Sequence, residues 1–330
     1  MTFFSVKVTV VIPNWNGRHW LEGCLNALNV QDYHDYEIVI VDDASTDNSI
    51  EYVEKEFPRI KIIRQLQRSG FAKSANAGIR AASGDYVLLL NNDTVPRVSF
   101  IRNLVHCMDR MPPGVGSLAS CMLCLDNPTL IDDAGDYLTW YGMALKRGHG
   151  MPVTEFSKNC EVFSACAGAA LYRRSFLVEM GGFDEKFGNY LEDVDLGFRM
   201  RLSGYRCWFV ADAEVLHKGH GSNISRSDYV RSITRNRLLL IGKNIPLSLI
   251  VRHVHHLLAG QVALLIQYKK PLDSIIGFIS FFPLVPHIMR ERRLTRSKIT
   301  LSTKEIEQLL VLSPVGVPLP GWVSGKKWEI

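Results

Sequence analysis

The first 95 residues alternate short apolar runs with amphipathic segments. The apolar runs predict strands at Val8–Ile12, Glu37–Val41, Ile60–Ile63 and Tyr86–Leu90. Two of them have almost no internal polar residue, which is typical of strands covered on both faces. The amphipathic segments predict helices at about 19–30, 48–57 and 71–82, the second after the N-cap residues Ser45–Asn48. This repetition predicts an α/β fold with a doubly wound, mostly parallel sheet flanked by helices.

The pattern becomes mixed between residues 96 and 225. Helices are expected at 98–109, 174–180 and 192–203, and strands near 163–172 and 207–210. No repeat, low-complexity tract or linker divides this region from the first. We therefore expect a single domain that reaches about residue 230.

The rear of the chain is helical and apolar. A helix is expected at Ser227–Asn244, before a strongly apolar region over 245–289. The longest near-apolar run, Ile275–Met289, has fifteen residues and contains Pro283 and Pro286, whereas a membrane-spanning helix needs about twenty unbroken residues. Residues 246–298 therefore predict helices that lie in a membrane interface rather than a transmembrane hairpin. A buried oligomer interface is the alternative.

The charge is distributed unevenly. Residues 231–298 carry twelve Lys or Arg against two Asp or Glu, and the tail 299–330 is neutral, so the net +5 leaves −5 on the first 230 residues. An acidic front and a basic, apolar rear argue against nucleic acid as the main partner and favour an anionic membrane surface. The opening residues lack the pattern of a secretory leader, so we expect a cytosolic chain. The seven scattered cysteines are expected to be reduced, with Cys121 and Cys124 as core thiols.

Polar residues follow three of the predicted strands. They lie in Pro13–Gly17, in Asp42-Asp43 and in Asn91–Asp93. Doubly wound sheets bind ligands at the carboxyl ends of their strands, so these segments predict one site. The first segment lacks the glycine patterns of a dinucleotide cradle or a P-loop.

The two acidic segments leave alternatives open. Either Asp42 or Asp43 could accept hydrogen bonds from a base or ribose, or could cap the next helix. Asp93 suits a hard divalent cation that also grips a diphosphate, although it could also belong to an Asn-Asp turn.

A second acidic cluster opens the predicted helix at 192–203. Glu192, Asp193 and Asp195 suit the positive end of the helix dipole. Asp195 and Arg199 are four residues apart and should pair, which leaves Asp193 free as a candidate general base. Downstream, His217 is a candidate metal ligand or a structural histidine. Three further cationic candidates for phosphate contact are Lys218, His220 and Arg226.

These residues together resemble the family 2 inverting glycosyltransferases, which have a GT-A fold, and within them a bacterial rhamnosyltransferase-like branch. The resemblance spans about residues 7–245. It rests on seven ordered motifs: VIPNWNG, VDDASTDNS, SGFAKSANAGI, LLLNND, GAALYRR, GGFDEKFGNYLEDVDLGFR and HKGHGS.

The resemblance implies roles for most of these residues. Residues 1–230 become a catalytic domain, with a nucleotide-binding half over 1–95 and an acceptor-binding half over 96–230. The residues implied to bind the nucleotide sugar are Pro13, Asn14, Asn16, Asp42, Asp43, Gly70, Asn76, Asn92 and Asp93. Asp93 and His217 match the metal site, for Mg²⁺ or Mn²⁺. Asn91 replaces the first carboxylate of the family's D-x-D motif, so the dependence on metal is open.

The implied reaction moves a sugar from a nucleotide-sugar donor to a glycan or lipid-linked glycan acceptor. Asp193, beside Glu192, matches the catalytic base. The donor would be dTDP-rhamnose or a UDP-sugar, and the product a cell-surface polysaccharide made at the inner face of the membrane. A metal-dependent nucleotidyltransferase and a non-catalytic sugar-binding subunit are the alternatives.

Overall fold

Strands and helices alternate in the first part of the computed structural model, which describes residues 7–219 and 224–311. The elements are β1 (Val8–Asn14), α1 (Arg18–Asn29), β2 (Tyr36–Asp42), α2 (Ser49–Glu56), β3 (Lys61–Arg64), α3 (Phe71–Ala81) and β4 (Tyr86–Leu90). Every boundary lies within two residues of its predicted position. These four strands are parallel, in the order β3-β2-β1-β4, as predicted for this half.

The sheet continues as a mixed one. The next elements are β5 (Thr94–Pro96), α4 (Phe100–Arg110), β6 (Val115–Cys124), β7 (Asn127–Asp133), β8 (Asp136–Thr139), β9 (Ala144–Lys146), β10 (Cys160–Val162), β11 (Ala169–Arg173), α5 (Arg174–Met180), α6 (Glu192–Leu202) and β12 (Arg206–His217). β11 runs antiparallel between β4 and β6, whereas β12 is parallel to β6. The loop between β6 and β7 is too short for a crossover, so these strands pair antiparallel. The predicted α/β class is confirmed.

Helices cover both faces of the sheet. Consecutive residues of β1 point to opposite sides, so Val11 and Ile12, both fully buried, belong to different cores. One core packs against α1, α2 and α4, and the other against α3, α5 and α6. All seven cysteines lie in described residues and are free, as predicted, with Cys121 buried and Cys124 half-buried.

The rear of the chain is helical, as predicted. Its elements are α7 (Arg226–Asn244), α8 (Leu247–Arg252), α9 (Val254–Tyr268), α10 (Pro271–Ile279), α11 (Val285–Arg296), α12 (Thr303–Leu309) and β13 (Leu310–Val311). β13 joins β8 and β9 in a small second sheet. A third core joins this region to the α/β body through Trp140, Phe198, Leu240 and Leu264. α7 therefore shares its core with elements on both sides of residue 230.

The helices α8–α11 also expose many large apolar side chains. They include Val251, Leu258, Ile266, Leu272, Ile276 and Ile279. Within the described ranges, one helical segment, Pro271–Arg296, is long and apolar enough to cross a membrane by length and composition alone. This segment has 26 residues and is longer than the fifteen-residue apolar run Ile275–Met289. Pro283 and Pro286 do not interrupt the helical segment, because both lie in first turns, where proline is tolerated.

Candidate active site

One amide ties three strand ends together at the carboxyl edge of the sheet. Asn14, which is 1% exposed, ends β1. Its Nδ2 donates to Ser49 Oγ at 3.0 Å and to Asp42 Oδ1 at 3.4 Å. Its Oδ1 accepts from Asn92 Nδ2 at 2.8 Å. The structure therefore brings the predicted residues of β1, β2 and the β4 loop into direct contact.

The loop after β1 has little room. Pro13 is half-buried within β1, and Asn16 lies in the left-handed region at φ 48°. Asn16 Oδ1 accepts from the Thr46 backbone N–H at 2.7 Å. At Gly17 an added Cβ would overlap the amide of Asn92, so only glycine lets the loop pass this close to the end of β4.

Asp43 holds the loop that precedes α3. Its Oδ1 accepts from the N–H and hydroxyl of Ser69, at 2.7 and 2.8 Å, and its Oδ2 accepts from the N–H of Gly70 at 2.8 Å. The neighbouring Asp42 accepts from the N–H of Ser45 at 3.2 Å. The two adjacent buried carboxylates thus have the donors that their mutual repulsion requires.

The start of α3 is fixed by the acidic segment that leads to α6. Gly70 has φ 89°, and Ala72, two residues later, donates its N–H to Gly188 O at 2.9 Å. Farther along α3, Asn76 exchanges two 2.9 Å hydrogen bonds with the backbone of Phe183. The Asn76 amide therefore holds this segment, and its contact with a nucleotide stays a prediction.

Asp93 and His217 meet because β5 pairs with the end of β12. Thr94 lies opposite His217 in that pairing. His217 Nε2 is 3.4 Å from Asp93 Oδ1, and both side chains are buried. The Nδ1 of the same ring is 2.8 Å from Asp132 Oδ2. Burial alone would lower the pKa of His217, but its hydrogen bonds to Asp132 and Asp93 raise it to about 9.

Asp132, at the end of β7, was not predicted from the sequence. Both of its oxygens lie 2.9 Å from Lys146 Nζ, and its Oδ1 is 3.5 Å from His149 Nδ1. Burial opposes ionisation here, but the charge of Lys146 and the two histidines hold the pKa of Asp132 far below its usual range. The only local signal is the pair Asp132-Asp133 ending a strand, as Asp42-Asp43 does.

The donor atoms at this point suit a divalent cation. A carboxylate oxygen of Asp93 faces a ring nitrogen of His217 whose other nitrogen is held by Asp132, the arrangement that orients histidines towards metals. Across residues 7–219 and 224–311, no group of three His, Cys, Asp or Glu side chains forms a complete metal cage. Asn91, two residues before Asp93, offers an amide rather than a carboxylate.

The acidic helix α6 begins after a strained turn. Tyr190 and Leu191 have φ of 74° and 68°, values that a buried leucine rarely adopts. Asn236 of α7, which is fully buried, donates to the carbonyls of Phe187, Asn189 and Tyr190 at 2.8 to 2.9 Å. A side chain from α7 therefore holds the turn in place, a contact that no sequence motif predicted.

The three acids of α6 have different surroundings. Asp195 pairs with Arg199 at 2.9 Å, as predicted, and also with Lys243 at 2.8 Å. Asp193 forms no ion pair among the described residues, and its Oδ2 accepts from the Ala167 N–H at 3.0 Å. Burial raises the pKa of Asp193. Glu192 is 6% exposed, its Oε2 has no hydrogen-bond partner in the described chain, and burial raises its pKa well above the usual range.

A two-residue loop joins the carboxyl edge of the sheet to Asp193. Gly168 O accepts from the Asn91 N–H at 2.8 Å, and the adjacent Ala167 donates to Asp193. The remaining cationic candidates are engaged elsewhere: Lys218 pairs with Asp126 at 2.7 Å, and Arg226 reaches Tyr268 O at 3.4 Å. His220 lies outside the described residues.

Known proteins resemble this chain in sequence and in fold. Glycosyltransferase GlyG of Streptococcus pneumoniae serotype 4 is 32% identical over 103 residues, which are 30% of this chain and 34% of GlyG. O-antigen biosynthesis protein RfbC of Myxococcus xanthus is 28% identical over 241 residues, 68% of this chain and 18% of RfbC. The chain thus spans about a third or less of either relative.

The crystal structure of GalNAc-T7 with UDP, GalNAc and Mn²⁺ shares the fold. The TM-score is 0.56 at 17% identity, over 73% of this chain and 50% of GalNAc-T7. Residues 9–181, just over half of the chain, match the family described as glycosyl transferase family 2. The chain therefore belongs to glycosyl transferase family 2.

Proposed function

We propose that this family member is an inverting glycosyltransferase that moves a sugar from a nucleotide-sugar donor to a glycan or lipid-linked glycan. The observation that carries the proposal is the Ala167-Gly168 loop. The carbonyl of Gly168 accepts a hydrogen bond from the N–H of Asn91, two residues before Asp93. The N–H of Ala167 donates a hydrogen bond to Asp193. A leaving diphosphate and an acceptor hydroxyl would then lie on either side of one loop, as a single displacement requires.

Asp193 serves as the general base. It removes the proton from an acceptor hydroxyl, whose oxygen bonds to the anomeric carbon as the bond from that carbon to the diphosphate oxygen breaks. Attack from the face opposite the nucleotide inverts the configuration. A half-buried carboxylate with a raised pKa and no ion-pair partner in the described chain suits this role better than Asp195, which Arg199 and Lys243 neutralise.

The donor is held by the strand ends. Pro13, Asn14, Asn16, Asp42 and Asp43 surround the nucleotide, and Gly70 and Asn92 close the pocket beside them. Their mutual hydrogen bonds keep this edge rigid before the donor arrives.

Asp93 and His217 would hold Mg²⁺ or Mn²⁺. The cation would neutralise charge on the leaving diphosphate, and Asp132 would keep His217 Nε2 turned towards it. The Mn²⁺ in the GalNAc-T7 crystal supports cation use in this fold. With Asn91 in place of a carboxylate, we expect weaker metal binding than a complete D-x-D motif gives.

The donor sugar is proposed as rhamnose from dTDP-rhamnose, or as the sugar of a UDP donor, on the motif resemblance. The similarity to RfbC supports a polysaccharide of the cell envelope as the product. The protein would act in the cytoplasm, attached to the inner membrane face through 246–298, where exposed apolar side chains lie beside basic ones.

Nucleoside diphosphate release from a panel of sugar nucleotides, with and without Mn²⁺, tests the reaction. A family 2 transferase releases the diphosphate when acceptor glycan is added. A nucleotidyltransferase would release pyrophosphate from a nucleoside triphosphate instead, and a non-catalytic sugar-binding subunit would release neither. Either of these results would contradict the proposal.

Membrane attachment needs a gentler test than removal of 246–298, because Leu249 and Leu264 of that region belong to the core. Serine at Val251, Ile266 and Leu272, which are exposed by 66%, 69% and 74%, should leave the fold intact. We expect the triple variant to lose binding to vesicles of anionic lipid in a flotation assay. The matched control is Val178→Ser, 67% exposed on the α/β body, and equal binding by the two proteins would contradict attachment through these helices.

A further inference from the structure

Lys146 lies on β9 of the small second sheet, outside all of the sequence motifs. It stands opposite Asp136 in the antiparallel pairing of β8 with β9, so the two side chains lie on the same face of that hairpin. Its Nζ is 2.9 Å from both carboxylate oxygens of Asp132, near the end of β7. The hairpin therefore holds an ammonium group beside the acidic end of β7.

The same hairpin is joined to the helix that carries Asp193. Asp136 Oδ2 accepts from Ser164 Oγ at 2.7 Å, and the Asp136 backbone N–H donates to Ser164 O at 3.2 Å. Ser164 in turn packs on Gly197 of α6, where an added Cβ would overlap the Ser164 side chain. Gly197 follows Asp193 by one turn and lies on the same side of the helix. Ser164 therefore connects the hairpin to the face of α6 that carries Asp193.

Three carboxyl groups meet in this region. Asp133 and Asp136 are buried, with exposures of 2% and 6%, and Asp193 is half-buried. Burial raises the pKa of Asp133 to about 7. Burial and the charges of Asp133 and Asp193 raise the pKa of Asp136 well above its usual range. Carboxyl groups that interact in this way do not all ionise at neutral pH, so the negative charge belongs on the group with the best donors.

The hydrogen-bond donors favour Asp193 as the ionised member. Asp193 accepts from two backbone N–H groups, that of Ala167 at 3.0 Å and that of Val194 at 2.8 Å. Asp133 accepts from one backbone N–H, that of Gly135 at 2.7 Å. Because hydrogen bonds to a carboxylate stabilise its charged form, Asp193 is the better anion of the two.

Lys146 brings positive charge to this group of acids. Burial opposes its charge, but Asp132 and Asp133 raise the pKa of Lys146 above its usual value, so it stays protonated. Burial raises the pKa of Asp193, whereas its two N–H donors and the charge of Lys146 lower it. The other titratable groups that interact with Asp193 are acidic or neutral: Asp133, Asp136, Cys166, Tyr172 and Glu192. None of these five supplies a positive charge.

We propose that Lys146 is a positioning residue of the active site: anchored on Asp132, its ammonium group supplies the positive charge that Asp193 needs to act as a general base. The inference rests on the proposed function and deepens it, because a protonated acid cannot take the proton of an acceptor hydroxyl. Lys146 also stands behind His217, whose Nδ1 is 2.8 Å from Asp132 Oδ2. One residue of the second sheet thus supports the donor side and the acceptor side of the reaction.

Lys146→Gln tests the charge in the full chain, because the amide can still donate to Asp132 and hold the hairpin. The measurement is kcat/KM for diphosphate release with acceptor glycan, from about pH 5 to about pH 9. Loss of the positive charge should raise the pKa of Asp193, so the acidic limb of the profile should move up by about one pH unit. On that limb kcat/KM should fall about tenfold and should recover at high pH. Lys146→Arg keeps the charge and should keep the limb in place.

A purely structural role for Lys146 predicts a different profile, in which Lys146→Gln is slower at every pH and the limb does not move. That result would overturn the proposal. Lys7→Gln is the matched control. The Lys7 side chain is 30% exposed, against 37% for Lys146, and lies 3.7 and 3.4 Å from Asp85 and Asp109, but at the amino end of β1. Its profile should match that of wild type.

The pKa of Asp193 is also measured without turnover, by ¹³C NMR of the chain labelled at its aspartate carboxyl carbons, with Asp193→Asn giving the assignment. The pKa should be higher in Lys146→Gln than in wild type, and an equal pKa in the two proteins would overturn the proposal. A higher pKa together with no diphosphate release by wild type overturns only the proposed reaction. Release with an unmoved limb in Lys146→Gln overturns only the role of Lys146.

Discussion

At the carboxyl ends of β1 and β2, the side chains of Asn14 and Asp43 form hydrogen bonds to the neighbouring loops through all their oxygen and nitrogen atoms. At the start of α6 the situation is the opposite. Glu192 and the nearby Asp133 each keep one buried oxygen without a partner in the described chain, and burial raises the pKa of both. These hydrogen bonds hold the first edge in place, as the proposed donor site requires. The second holds carboxyl groups whose protonation is easily changed, which is where proton transfer is expected.

Asp193→Asn should show the largest difference between the two regions, because it should slow transfer and leave donor binding nearly unchanged. An amide cannot take the acceptor proton, so we expect kcat/KM for transfer to fall by about a thousandfold, within the range of general-base contributions. Donor affinity, measured by calorimetry with the nucleoside diphosphate, should change by less than about threefold because the strand ends are untouched. The control is Asp212→Asn, an exposed position on β12. Transfer near the wild-type rate in Asp193→Asn would remove this residue from the mechanism.

Asp132→Asn tests the position of His217, the histidine that faces Asp93. Its carboxylate pairs with His217 and Lys146, and losing it should loosen the ring that faces Asp93. We expect Mn²⁺ affinity in the presence of nucleoside diphosphate to fall by about 10- to 100-fold. A second variant, Asn91→Asp, should tighten Mn²⁺ binding because it adds a carboxylate two residues before Asp93. Titration of Mn²⁺ by electron paramagnetic resonance measures both, and unchanged affinity in Asp132→Asn would mean that His217 does not depend on its partner.

These contrasts also show what the sequence could reveal. The strands, the helices and the Asp195–Arg199 pair were predictable because apolar periodicity and i,i+4 spacing are local. Asp132 was not, since its partner His217 is 85 residues away and only the pairing of β6 with both β7 and β12 brings them together. Asn236 is similar: it looks like one polar residue in a helix until the fold sets it beneath a strained turn 46 residues earlier.

Asp133→Asn should change the stability of the fold rather than transfer, by an amount that depends on pH. Burial and the neighbouring Asp132 raise the pKa of Asp133 from 3.8 to about 7, although Lys146 opposes this. A raised carboxyl pKa means that the folded state binds the proton more tightly, so wild-type stability falls as pH rises from about 4 to about 7. Asparagine does not titrate, so the variant should match wild type near pH 4 and exceed it at pH 8 by up to about 4 kcal/mol. Urea unfolding at both pH values measures this, and a difference that is the same at both would show that folding does not raise the pKa of Asp133.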